Sequence, residues 1–138
     1  CLTYQDDNAT CLNNYAYYLS LENDNLDRAE EMSYRSIRLQ PNNKTFLDTY
    51  AWILFMKERY AEAQSYIDRV CPPDSTDSVL LADDNVSGVV FEHAGDIAAC
   101  NGDIDKALRF WQLAQKAGGT DLSAVLPRKI KLRKYIKQ

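Results

Sequence analysis

Phe91-Glu92-His93-Ala94-Gly95-Asp96-Ile97-Ala98-Ala99-Cys100-Asn101-Gly102-Asp103-Ile104-Asp105-Lys106-Ala107-Leu108-Arg109-Phe110-Trp111-Gln112-Leu113-Ala114 reads as two amphipathic helices joined by a tight turn at Asn101-Gly102-Asp103. Apolar or small residues fall at Phe91, Ala94, Gly95 and Ala98 before the turn, and at Ile104, Ala107, Leu108, Trp111 and Ala114 after it. That is helical periodicity on both sides of a break. Ala94-Gly95 and Ala107 are small where two helices must touch, and Trp111 is a large knob beside them.

The pattern recurs when the chain is aligned with itself. Ala107 has equivalents at Ala63, in Tyr60-Ala61-Glu62-Ala63, and at Ala29, in Leu26-Asp27-Arg28-Ala29. Ala29 to Ala63 is 34 residues, and Ala63 to Ala107 is 44, one unit plus a ten-residue insertion. The first helices align too: Leu12, Tyr15-Ala16 and Leu19 match Leu47, Tyr50-Ala51 and Leu54, then Phe91, Ala94-Gly95 and Ala98. Pro41 ends the first unit, whereas Ser75 and Gly119 fill the corresponding slots of the next two. An unrelated helical bundle would explain the amphipathicity but not the joint recurrence of the small pair and the later alanine.

A helix–turn–helix unit of this length and order resembles the tetratricopeptide repeat. The resemblance implies an all-α fold, a right-handed superhelix of three helix–turn–helix repeats at about 9–43, 44–77 and 88–121. It also implies an insertion at about 71–84 and a C-terminal capping helix at about 122–137, within a single domain over 1–138. Residues 1–8 read as the tail of an earlier repeat, which makes the chain a fragment of a longer protein. The rival idea is that Cys1 is the lipidated first residue of a bacterial lipoprotein.

The 138 residues are enough for one domain with a sizeable core, and the nine tyrosines fall mainly in the periodic segments. No apolar run approaches the roughly 18–20 residues needed to span a bilayer. Net charge is −4, unevenly spread: residues 128–138 hold six Lys/Arg and no acid, which leaves −10 on residues 1–127. An acidic body argues against nucleic acid, whose phosphates need cationic neutralisation. The cysteines at 1, 11, 71 and 100 show no zinc-ligand spacing. Cys11 and Cys100 lie within expected helices and read as small packing residues rather than as a disulfide framework. The N-x-S/T matches at Asn8, Asn43 and Asn85 are explained by chance and helix-entry chemistry.

Helices are expected near 10–21, 26–39, 44–57, 60–70, 88–101 and 103–117, with Thr10, Asn43 and Ser87 as N-caps. Asn23-Asn25 marks a turn, Pro72-Pro73 stops a helix, and Val79-Ala82 forms a short packed turn. Gly118-Gly119 is a C-cap signal. In the tail, Pro127 suits a first helical turn. Leu126, Ile130, Tyr135 and Ile136 are expected to face the preceding helix pair, and Arg128, Lys129, Lys131, Arg133 and Lys134 to face water. That is a capping helix with a polar outer face, with a basic segment touching membrane or an acidic partner as the rival reading.

The resemblance also implies a function. In the family, the first helix of each repeat lines a concave groove that holds a peptide or protein segment. The lining positions here give Asn13, Asn14, Tyr17 and Leu21, then Asp48, Thr49, Trp52, Phe55 and Met56, then Glu92, His93, Asp96, Ala99 and Cys100. Trp and Tyr are the types that dominate binding energy on such surfaces. Asp48, Glu92 and Asp96 favour a polar or cationic segment. The chain departs from chaperone-binding relatives, because Val89 and His93 stand where cations would hold a terminal carboxylate. His93 shares a face with Asp96 and Cys100, but seven residues of helix separate His93 from Cys100 by roughly 10 Å, too far for a direct hydrogen bond. No catalytic residues, cofactor or metal site are expected.

The run Leu12-Asn13-Asn14-Tyr15-Ala16-Tyr17-Tyr18-Leu19, with Leu47-Asp48-Thr49-Tyr50-Ala51-Trp52 and Glu92-His93-Ala94-Gly95-Asp96, looks like the C-terminal repeats of bacterial envelope-associated members of the family. It implies a periplasmic or outer-membrane-associated setting, with the cytoplasm as the alternative. The expected function is a non-enzymatic scaffold. The alternative is a structural or regulatory module packed on upstream repeats of the same polypeptide.

Overall fold

The structure, a computed structural model, describes residues 9–22, 25–84, 86–119 and 122–136. Among these residues there are eight helices and no strand: α1 (Ala9–Leu21), α2 (Leu26–Leu39), α3 (Lys44–Met56), α4 (Tyr60–Val70), α5 (Asp77–Ala82), α6 (Gly88–Cys100), α7 (Ile104–Ala117) and α8 (Leu126–Leu132). The expectations for residues 1–8, for Asn23 and Asp24, and for Asn85 lie outside the described residues. The chain divides into two compact units, the first ending at Tyr66 and the second beginning at Ile67, so the division falls within α4.

In the first unit α1 packs on α2, and α3 packs on both. Leu12, Ala16 and Leu19 of α1 meet Ala29 and Met32 of α2 and Ile53 of α3 in one core. Ala16, Ala29, Ala51 and Ala63 are all fully buried, as small residues must be where helix backbones approach closely. Asn25 starts α2 from a left-handed conformation, φ 48°, and its side chain accepts the Arg28 N–H at 3.3 Å. Asparagine is one of the few residues that visits this region at low cost. Asn43 caps α3 as expected, accepting the Phe46 N–H at 3.2 Å. Thr10, by contrast, is not an N-cap: α1 is already helical at Ala9. Tyr66 of α4 meets the ring of Tyr50 edge-on, centroids 4.8 Å apart.

In the second unit α6 and α7 form the helix pair quoted above. Gly102 supplies the turn with φ 86°, and Asp103 caps α7 by accepting the Lys106 N–H at 3.1 Å. A Cβ on Gly95 would overlap the indole of Trp111, so glycine is what lets the ring lie against α6. Ser87 precedes α6 but makes no side-chain cap bond. Within the insertion, Thr76 caps α5 and Leu80 is buried, with α5 packed on α7. Arg109 of α7 pins the insertion: its guanidinium donates to the carbonyls of Pro73 and Ser75 and to the Asp77 carboxylate.

The C-terminal helix differs from expectation in length and in phase. It spans seven residues rather than the whole tail, because Arg133 turns left-handed at φ 57° and ends it. Pro127 sits in its first turn and Leu126 is buried. Lys129, expected in water, is buried as well. Spacing explains this: Lys129 lies three residues after Leu126 and so shares its inward face.

Candidate protein-interaction site

The first helix of each repeat carries the residues expected to meet a partner. On α1, Asn14 is exposed and Tyr17 half-buried, while Asn13 is buried and its side-chain oxygen has no hydrogen-bond partner. On α3, Asp48 and Thr49 are buried and the Thr49 hydroxyl donates back to the Thr45 carbonyl at 3.1 Å. Trp52 stacks on Phe55, with centroids 4.8 Å apart and planes 16° apart, and Trp52 and Met56 are half-buried. The accessible part of this set within the first unit is therefore Asn14, Tyr17, Trp52 and Met56. These are one amide, two aromatics and a thioether held on helices.

The corresponding positions on α6 are closed. Glu92, His93 and Asp96 are all buried. Lys129 of α8 reaches both carboxylates, donating to Glu92 Oε2 at 2.7 Å and to Asp96 Oδ1 at 2.8 Å. The three side chains keep only 3–5% of their surface exposed. The Ser123 N–H donates to Glu92 Oε1 at 2.8 Å, and the Trp111 indole N–H donates to Asp96 Oδ1 at 3.1 Å. Tyr135 places its ring 5.4 Å from the Lys129 ammonium.

The electrostatics follow from this burial. Burial pushes the Asp96 carboxyl up to about 6, against the opposing pull of Lys129. Burial acts on Glu92 in the same sense, but the hydrogen bonds from Lys129 and Ser123 outweigh it and hold Glu92 below the ordinary carboxylate range. Taking three charges out of water costs several kcal/mol per ion, about as much as their attraction returns. The pairing thus fixes where α8 sits more than it stabilises the fold.

Of the ten residues expected to line a groove, the structure leaves Asn14, Tyr17, Trp52 and Met56 exposed or half-buried. It buries Asn13, Asp48, Thr49, Glu92, His93 and Asp96. The Glu92 and Asp96 carboxylates, expected to meet a cationic segment, are met by a cation of the chain's own. Sequence reasoning missed Lys129, Ser123 and the polar role of Trp111. The Leu126/Lys129/Ile130 spacing was the available signal for the first of these. Cys11 is also corrected: it is disulfide-bonded rather than a simple packing residue. Among the described residues no group of His, Cys, Asp and Glu is placed to hold a metal ion, and no helix is long and apolar enough to cross a membrane.

No family model matches the chain, and no curated protein matches it. Solved structures do. The N-terminal domain of stress-induced protein-1 (STI-1) from C. elegans is similar with a TM-score of 0.59 and 16% sequence identity, over 94% of this chain and 97% of that one. A likeness at that identity speaks for the fold, and the fold is an all-helical, tetratricopeptide-like repeat.

Proposed function

We propose that this chain is a non-enzymatic interaction scaffold that binds a polar or cationic polypeptide segment along the first helices of its repeats. The observation that carries the reading is the stacked Trp52–Phe55 pair with Met56 and Tyr17 half-buried and Asn14 exposed. Half-buried aromatics already held in place contribute contact area at little entropic cost, which is why such residues dominate binding energy. Asn13, Asp48 and Thr49 in the first unit, and Glu92, His93 and Asp96 in the second, are buried at the corresponding positions of their helices. The test is affinity capture with the full-length gene product, wild type against the Trp52→Ala/Asp48→Ala double variant. Loss of the captured partner is the expected result, and full retention of every partner would rule the reading out.

A second reading has its own support. Tyr18 and Leu21 of α1 and Tyr34 and Leu39 of α2 are large apolar side chains with 45–61% of their surface exposed. This favours a module that packs on other repeats of a longer polypeptide. In the longer gene product, Tyr34→Ser/Leu39→Ser would then lower the melting temperature, while leaving that of the 138-residue chain unchanged. For compartment, we propose an oxidising one such as the bacterial periplasm, supported by the disulfide at Cys11, since such bonds persist where thiols are not kept reduced. Unaltered stability of the purified chain on reduction with dithiothreitol would remove that support.

A further inference from the structure

We infer that the chain pairs with a second copy of itself, the acidic insertion of one copy docking on the basic C-terminal helix of the other. The contact sets α5 and its flanking residues against the outer face of α8. It is separate from the first-helix surface proposed above.

Three observations meet here. The first is where the second unit leaves apolar surface open. Among its described residues, the large exposed apolar side chains are Val79 and Leu81 of α5, at 61% and 39%, and Leu132 of α8, at 52%. A capping helix is expected to turn a polar face outward, and Leu132 departs from that. Both helices pack on α7, and all three side chains are open at once. The two patches therefore do not cover each other within one chain.

The second is charge. Residues 72–84 carry Asp74, Asp77, Asp83 and Asp84 and no Lys or Arg. Around Leu132 stand the exposed Arg128, Lys131, Arg133 and Lys134, with no acid in residues 128–138. Each apolar patch thus sits in a field of one sign, and the signs are opposite. Such complementarity steers encounter and fixes which faces meet. It also argues against an anionic membrane as the occupant of α8, because residues 1–127 carry −10 and would be repelled. The third observation is that both faces are held. Arg109 grips the insertion at Pro73, Ser75 and Asp77, and Lys129 ties α8 to Glu92 and Asp96. Faces fixed before they meet lower the ordering cost of association. In a two-fold pair each copy gives its insertion and its α8 once, so both patches of both chains are covered.

The test is sedimentation equilibrium of the 138-residue chain with charge reversals at exposed residues of each patch. The wild type should form a reversible dimer that weakens about tenfold between about 50 and 300 mM salt. Lys131→Glu/Lys134→Glu and Asp74→Lys/Asp84→Lys each cancel the net charge of one patch, so each variant alone should pair about tenfold more weakly. An equal mixture of the two should recover the lost affinity. There, one contact has both its original patches and the other sets reversed charges against reversed charges. Recovery also shows that both variants are folded. Unchanged affinity in the separate variants, or no recovery on mixing, would overturn the inference. So would a wild type that stays monomeric at about 1 mM. A monomeric wild type that binds phosphatidylglycerol vesicles through Lys131 and Lys134 would overturn it too, and would assign α8 to a membrane.

Discussion

The first and third repeats build the same helix crossing in two ways. In the first, the positions are Ala16 on α1 and Ser33 on α2, four residues after the buried Ala29. In the third they are Gly95 on α6 and Trp111 on α7, four residues after the buried Ala107. The bulk removed from one helix is returned by the other. The consequences then diverge. Ser33 is buried with its hydroxyl unpartnered, and nothing further is built on it. The Trp111 ring brings an N–H that must be satisfied once buried. Asp96 accepts it, a buried Asp96 requires a cation, and Lys129 supplies one from α8. One missing methyl group thus leads, step by step, to a docked C-terminal helix.

The largest break in this comparison comes from Trp111→Ala. It leaves a cavity beside Gly95 and removes a bond to Asp96, so it should lower stability by about 3–5 kcal/mol in urea unfolding followed by circular dichroism. Gly95→Ala comes next, at about 1–3 kcal/mol by overpacking against the indole, although alanine is native at the corresponding Ala16 and Ala51. Its recovery in a Gly95→Ala/Trp111→Leu double variant would show that the two sites are coupled.

A pH titration separates the regions a third way. Asp96 has its pKa raised from 3.8 to about 6 in the fold. Its contribution to stability is therefore full below about pH 4 and is lost as pH rises through about 6. Glu92, with a lowered pKa, runs the other way: its contribution is present above its ordinary value and lost as pH falls through the lowered one. Between about pH 4.5 and 6 the falling slope belongs to Asp96. Asp96→Asn should flatten that part of the midpoint-against-pH curve. The smallest effect is expected of Ser33→Ala. Removing an unpartnered buried hydroxyl should change stability by nothing measurable or raise it slightly. A clear loss would mean that Ser33 has a partner.

Much of this was legible in the sequence because the signals are local. The alanines at 29, 63 and 107 marked the crossings, Asn43 its cap, and Gly118 the end of α7. The Lys129 seat was not legible, because its partners lie 33 and 37 residues away and a lysine in a basic tail looks solvated. Spacing alone points Lys129 inward, because Leu126 and Ile130 flank the same face. The closure of Glu92 and Asp96 was hidden for the same reason. The positions follow the repeat, but what covers them depends on a helix outside it. The disulfide at Cys11 had no local signal, since its place in a helix suits a thiol equally well.

Arg109 carries a last implication. Its one guanidinium grips two backbone carbonyls and a carboxylate within Pro73–Asp77. A protease needs its substrate drawn out into a strand before it cuts. The segment after the double proline is held instead in a fixed bend, so an addition that looks like a target for nicking is kept out of reach for as long as that single side chain holds on.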